Sequence, residues 1–196
     1  MEKTKKKKNS AVKDYITLGI ICVLHIVIFS ASAPISFNPI GVVFSYPLCA
    51  LLWGTLFILL CKKTSNPTVV FLYPFLVALM QFMNFWVTGV IQIIGACLVV
   101  LIYVKLDRTK FSTLVLSYTS MIVCMYLGGT LPVILFKDMF FKAIPAYAEL
   151  YTEVYNILTA YMFIGGLIAA IICAVLGAFL GKVLLKKHFE KSGIVI

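Results

Sequence analysis

Residues 68–104 read TVVFLYPFLVALMQFMNFWVTGVIQIIGACLVVLIYV, a run with no Asp, Glu, Lys, Arg or His in it. A helix needs about 20 apolar residues to cross the hydrocarbon of a bilayer. As one straight helix this run would overshoot a bilayer by roughly a factor of two, whereas two crossings fit it. Asn84, Trp86 and Thr88 are the polar and interfacial residues inside it, which puts a turn at headgroup depth between Asn84 and Gly89. The stretch reads as a transmembrane hairpin, and an integral membrane fold follows from it.

The same reading extends outward. A charge at the centre of a span costs about 2.5–3.5 kcal/mol, so charge-free runs mark the crossings. They predict spans at 15–32, 39–61, 68–84, 87–104, 111–136 and 156–185. The expectation is an all-α integral membrane protein, with one six-helix domain over 15–185, a basic arm at 1–14 and a basic tail at 186–196. Composition excludes the alternatives. The chain is 62% hydrophobic and 12% charged, against roughly half and a quarter in soluble domains. No polar block is long enough for a separate soluble domain.

Charge predicts orientation, because Lys and Arg collect on the cytoplasmic side of short loops. Of seventeen such residues, fifteen fall on one side: Lys3, Lys5–Lys8 and Lys13, then Lys62 and Lys63, then Lys105, Arg108 and Lys110, then Lys182, Lys186, Lys187 and Lys191. Lys137 and Lys142 are the two on the other. Both termini are therefore expected inside, in a multi-pass protein of a bacterial cell membrane. The net charge of +10 reads as headgroup attraction of a solvated arm and tail, with no nucleic-acid partner implied. The start also resembles a signal peptide, with Ala31-Ser32-Ala33 as its small-residue site, but Pro34 follows at once and hinders cleavage, so an uncleaved first helix is expected.

Catalytic and metal chemistry find little to work with. The six cysteines sit in or beside apolar segments with no CxxC pair, and read as small core residues. No metal site or resident cofactor is expected. His25 is the one histidine inside a span; it reads as bonded to a neighbouring hydroxyl or carbonyl, with ligation of a metal or porphyrin as the alternative. The string GAFLGK at 177–182 has one residue too few between its glycines for a phosphate loop, and Val183 where a hydroxyl would hold magnesium. The chain is not expected to be an enzyme.

The polar chemistry concentrates in a long outer loop, 137–155, leading to Asn156. It holds Lys137, Asp138, Lys142, Glu149 and Glu153, with Tyr147, Tyr151 and Tyr155 recurring every four residues. An amphipathic helix after Pro145, running into the last span, is predicted. The tyrosines fit either an interfacial aromatic belt or a lid over a flat ligand. In the lid reading Glu149, Glu153 and Asn156 orient the ligand, Lys137 and Asp138 belong to the same binding set, and Gln81, Asn84, Trp86, Gln92 and Tyr126 line the same cavity, with 33–39 closing over it. In the last span Gly166, Ala170, Ala174 and Ala178 form one small-residue row, and Gly165, Ala169, Cys173, Gly177 and Gly181 another. Such rows let helices approach closely, within the chain or against a partner.

Two blocks, GAFLGKVLLKKHFEKSGI at 177–194 and LPVILFKD at 131–138, resemble the Trep_Strep bacterial membrane proteins, also called MptD-like. The resemblance extends over the chain in length, helix count and topology. That family is regarded as supplying substrate-binding (S) components of energy-coupling-factor (ECF) transporters. The resemblance implies an S-component-like bundle that captures a small micronutrient outside, and the tyrosines of the lid reading suit a planar or partly aromatic one. A separate ECF coupling transmembrane protein and two ATPase subunits would drive delivery inward. A vitamin, a queuosine-like base and a tetrapyrrole all fit. S components often dock through small residues four apart on the first helix; here Gly19 is followed by Val23, leaving Gly19 with Cys22, and Gly177 with Gly181, as the docking candidates. The competing expectation is a stand-alone homo-oligomeric small-solute transporter or channel, joined through the small-residue face of the last span.

Overall fold

A computed structural model describes the backbone of residues 2–64 and 66–189. Residues 190–196 of the basic tail, Lys191 included, and the side chains of Lys3 and Lys5–Lys8 lie outside the described residues. The chain is helical from end to end of the described part: α1 (Glu2–Ala31), a 3-10 turn (Ala33–Phe37), α2 (Pro39–Lys63), α3 (Pro67–Asn84), α4 (Trp86–Lys105), α5 (Phe111–Leu135), α6 (Lys137–Ala143), a 3-10 turn (Pro145–Tyr147), α7 (Ala148–Ile157) and α8 (Ala160–Phe189). Among the described residues, six helices are long and apolar enough to span a membrane: α1 from Val12, α2, α3, α4, α5, and α8 as far as Lys187.

Local chemistry explains the boundaries. Asn38 accepts a hydrogen bond from the Gly41 amide at 2.8 Å, and Asn66 accepts one from the Thr68 amide at 3.0 Å. Each is followed by proline at the first helical position, where the missing N–H costs nothing. The α3–α4 hairpin turns on the single extended residue Phe85. Between α4 and α5, Asp107 accepts from both the hydroxyl and the amide of Thr109, and these two bonds hold its carboxyl below the usual range.

The predicted amphipathic helix after Pro145 is present as α7, and the start of the last span is corrected. Leu158 leaves helical geometry, and Thr159 accepts the Met162 amide at 3.4 Å to begin α8 afresh. Asn156 therefore belongs to α7 and the last span starts at Ala160. The backbone of the basic arm continues α1 upward from Glu2.

The helices close a ring in the order α1, α3, α4, α5, α8, α2, with α2 and α5 also meeting inside it. α2 against α8 is the most extensive contact, and glycines make it possible. A Cβ on Gly54 would strike the Gly177 backbone, one on Gly177 would strike the Ala50 carbonyl, and one on Gly181 would lie 2.9 Å from the Thr55 Cα. Ala170, Ala174 and Ala178 are fully buried on the same helix. Where lipid is as apolar as the core, close backbone approach is what joins helices. From α5, the Tyr118 hydroxyl donates to the Ala50 carbonyl of α2 at 2.5 Å.

α1 is held by a polar pin. His25, buried on α1, stacks on Trp53 at 4.1 Å and 8° between ring planes, and its Nδ1 lies 2.8 Å from the Tyr73 hydroxyl. The Trp53 indole N–H donates to the His25 carbonyl at 3.3 Å. The expected bond to a neighbouring hydroxyl is what the structure contains, and no group of three or more His, Cys, Asp or Glu among the described residues is arranged to hold a metal.

Candidate functional site

A cavity of about 460 Å³ lies at the end of the bundle opposite the start of α1 and the end of α8, where α1 meets α2, α3 meets α4 and α5 leads into α6. Its size is in the range of small-molecule sites. α1 and the following turn contribute Phe29, Ser30, Ser32, Ala33 and Ser36; α2 contributes Val42, Ser45 and Tyr46. The α3–α4 hairpin adds Gln81, Asn84, Phe85 and Thr88, and α5 adds Gly129 and Thr130. Over the top lie Phe140, Ile144, Tyr147, Leu150 and Tyr151, from α6, α7 and the turn between them.

The walls are aromatic with hydrogen-bonding groups set between the rings. Asn84 donates to the Gln81 side-chain oxygen at 3.0 Å, and Gln81 in turn donates to the Tyr46 hydroxyl at 3.5 Å. The Tyr46 ring packs on Gly129, where a Cβ would come within 2.6 Å of it, so this glycine leaves room for the ring at the wall. Phe140 is buried in the cap and meets Phe85 edge-on at 5.2 Å and Tyr151 edge-on at 5.0 Å. It ties the cap to the α3–α4 turn. Burial, with Tyr147 nearby, raises the Tyr151 phenol above its ordinary pKa, keeping it a neutral donor.

Four of the predicted ligand residues meet here: Gln81, Asn84, Tyr147 and Tyr151. The others do not. Trp86 is half exposed at the start of α4, beside Phe85. Tyr126 donates to the Phe163 carbonyl at 2.9 Å and packs against Gly166, joining α5 to α8. Asp138, Glu149, Glu153 and Asn156 are exposed on the far side of the cap, and Lys137 sits 3.9 Å over the ring of the outward-facing Tyr155. The tyrosine stripe is split, with Tyr147 and Tyr151 at the cavity and Tyr155 serving the surface. Gln92 is buried one turn deeper than Thr88 on α4, outside the lining. The 33–39 turn does contribute, through Ala33 and Ser36.

The docking candidates also separate. Gly177 and Gly181 are used up inside the chain against α2, which corrects their assignment to a partner. Gly19 is exposed with nothing near it, on the row Ile16, Ile20, Val23 and Val27 that faces outward from α1, whereas Cys22 packs partly on the core.

Sequence reasoning missed Phe29, Ser32, Ser45, Tyr46, Thr88, Thr130 and Phe140. For Phe140 a signal was present: Phe140, Ile144, Tyr147 and Tyr151 are spaced four, three and four apart, the helical period. The residues inside the spans offered none.

No curated protein and no solved structure matches the chain. A family model does, over residues 12–191, and its description is a hypothetical bacterial integral membrane protein, Trep_Strep. With six apolar helices and a match across nearly its whole length, the chain belongs to the Trep_Strep family of multi-pass bacterial membrane proteins.

Proposed function

We propose that this protein is the substrate-binding S component of an ECF-type ABC importer, taking up a small micronutrient. The observation that carries the reading is the capped cavity: one mixed aromatic and polar pocket, at one end of a six-helix bundle, under a cap of two short helices. A channel would need a path through the bundle. Here the α2, α5 and α8 core beneath the cavity is closed by Trp53, Phe57, Tyr118 and Ile122, all fully buried. In this reading the termini lie in the cytoplasm and the cavity opens outside, an orientation that the lysine distribution supports. ATP hydrolysis resides in two separate ATPase subunits, reached through a coupling transmembrane protein. The outward row of α1 around Gly19 is the docking face that remains available.

The stand-alone homo-oligomer loses most of its proposed seam, because Gly177 and Gly181 of α8 are taken up by α2 and Gly166 by Tyr126 of α5, which leaves Gly165 as the open small residue of those two rows. Affinity purification of the tagged chain from its host in mild detergent tests the choice. Recovery of a membrane coupling protein with two ATPases is expected. Recovery of self-oligomers alone would overturn the import reading.

A further inference from the structure

None of the nineteen residues lining the cavity is Asp, Glu, Lys, Arg or His. The charges of the cap point elsewhere: Asp138, Lys142, Glu149 and Glu153 are exposed, and Lys137 is drawn onto Tyr155. Polar groups in the wall are neutral, and several already use their protons. Ser32 donates to the Phe29 carbonyl at 2.7 Å, Ser45 to Val42 at 3.0 Å and Thr130 to Tyr126 at 2.8 Å. Each hydroxyl oxygen keeps lone pairs for a ligand donor.

Beneath the wall lies a second observation. Gln92 is 3% exposed, and neither its amide nitrogen nor its amide oxygen has a hydrogen-bond partner. It sits one helical turn below the lining residue Thr88, against Gly128, whose neighbour Gly129 is in the wall. A buried amide with both bonds unmade is unfavourable in the empty protein.

Resting on the reading of this cavity as the substrate site, we propose that it selects an uncharged planar molecule whose edge carries several N–H or O–H donors, and that the Gln92 amide, just behind the lining in the empty protein, becomes a hydrogen-bonding partner when the ligand is seated. Moving an ion from water into a pocket without counter-charge is costly, so the wall discriminates against carboxylates, phosphates and ammonium groups alike. Ring faces recover part of that cost for a cation. Here Phe140 lies at 89° to Phe85 and 75° to Tyr151, so these rings engage one another edge-on in the cap.

The test is calorimetric titration of the protein in lipid nanodiscs with two shape-matched probe sets whose members differ in charge. One is nicotinamide, nicotinate and 1-methylnicotinamide; the other is uracil and its 6-carboxylate. The uncharged member of each set is expected to bind at least about tenfold more tightly than its charged counterparts. Gln92→Met is expected to weaken the uncharged probes by roughly two- to tenfold while the empty protein melts at the same or a higher temperature, since the unpaired amide is gone. Equal or tighter binding of a charged member, abolished by Tyr46→Ala, would overturn the charge selection while leaving the cavity as the site. Absence of binding by both uncharged probes would overturn the proposed ligand class. Unchanged affinity in Gln92→Met, or a lowered melting temperature, would overturn the role given to Gln92. None of these outcomes touches subunit co-purification, on which the import reading separately stands.

Discussion

Phe140 holds the cap shut, and replacing it should loosen the cap alone. Its ring is 6% exposed and meets two others edge-on, Phe85 at 5.2 Å and Tyr151 at 5.0 Å. Aromatic pairs of this geometry are worth about 0.5–1.5 kcal/mol each beyond the area they bury. Losing both in Phe140→Ala removes about 1–3 kcal/mol from the closed state, which multiplies the population of open caps by roughly 5 to 150. Hydrogen–deuterium exchange followed by mass spectrometry reads this without any ligand. Peptides covering 137–157 should exchange faster by that factor, while those from the interior helices α2 and α5 keep their wild-type rates. Unchanged exchange over 137–157 would refute the latch; a rise spread evenly over the bundle would show that Phe140 supports the whole fold.

Further outcomes follow from the same contacts. Gly54→Val places side-chain atoms against the Gly177 backbone and should cost at least about 1–3 kcal/mol in detergent thermal stability, whereas Gly165→Ala, with nothing within 4 Å, should cost none of it. Tyr73→Phe removes the bond to His25 and should lower stability by about 0.6–1.7 kcal/mol in a chemical or steric-trap unfolding assay, with no shift if the pin is unimportant. Tyr151→Ala should weaken ligand binding and Glu149→Gln should not, since the first lines the cavity and the second faces solvent; equal effects on ligand retention would contradict the cap's orientation. A thiol at Lys142→Cys should react with an impermeant maleimide on intact cells and one at Thr109→Cys only after permeabilisation, the reverse pattern meaning an inverted bundle.

The spans were legible because a single physical quantity, charge, is excluded from their interiors, with Lys182 near the end of the last span as the exception. The turn of the 68–104 hairpin falls on Phe85, inside the window that Asn84, Trp86 and Thr88 marked. The cavity was harder to read. In water, the apolar face of a helix reveals which way it points; in lipid both faces are apolar, so nothing in the spans distinguished Phe29 or Tyr46 from residues facing lipid. The same limit hid the partner of α8: close packing was visible in Gly177 and Gly181, but the choice of α2 over a second protein lay in Gly54 and Ala50, far away in sequence.

In the cap, counting tyrosines every four residues followed a line that drifts around the helix. The inward set, Phe140, Ile144, Tyr147 and Tyr151, comes from two short helices and the turn between them, and Asp138, Glu149 and Glu153 are left exposed. The carboxylates drew notice as charged residues in a long loop, and charge in this cap is what keeps that side in water.

The central claim is that the capped cavity holds the transported substrate, and native mass spectrometry of protein drawn gently from its own host membranes tests it most directly. Wild type and the Tyr46→Ala/Tyr151→Ala double variant would be compared. The account predicts a small non-lipid molecule on the wild type that the folded double variant has lost, with coupling and ATPase subunits retained by both. The same molecule bound equally to both proteins, or a wild type that carries lipid alone, would contradict it.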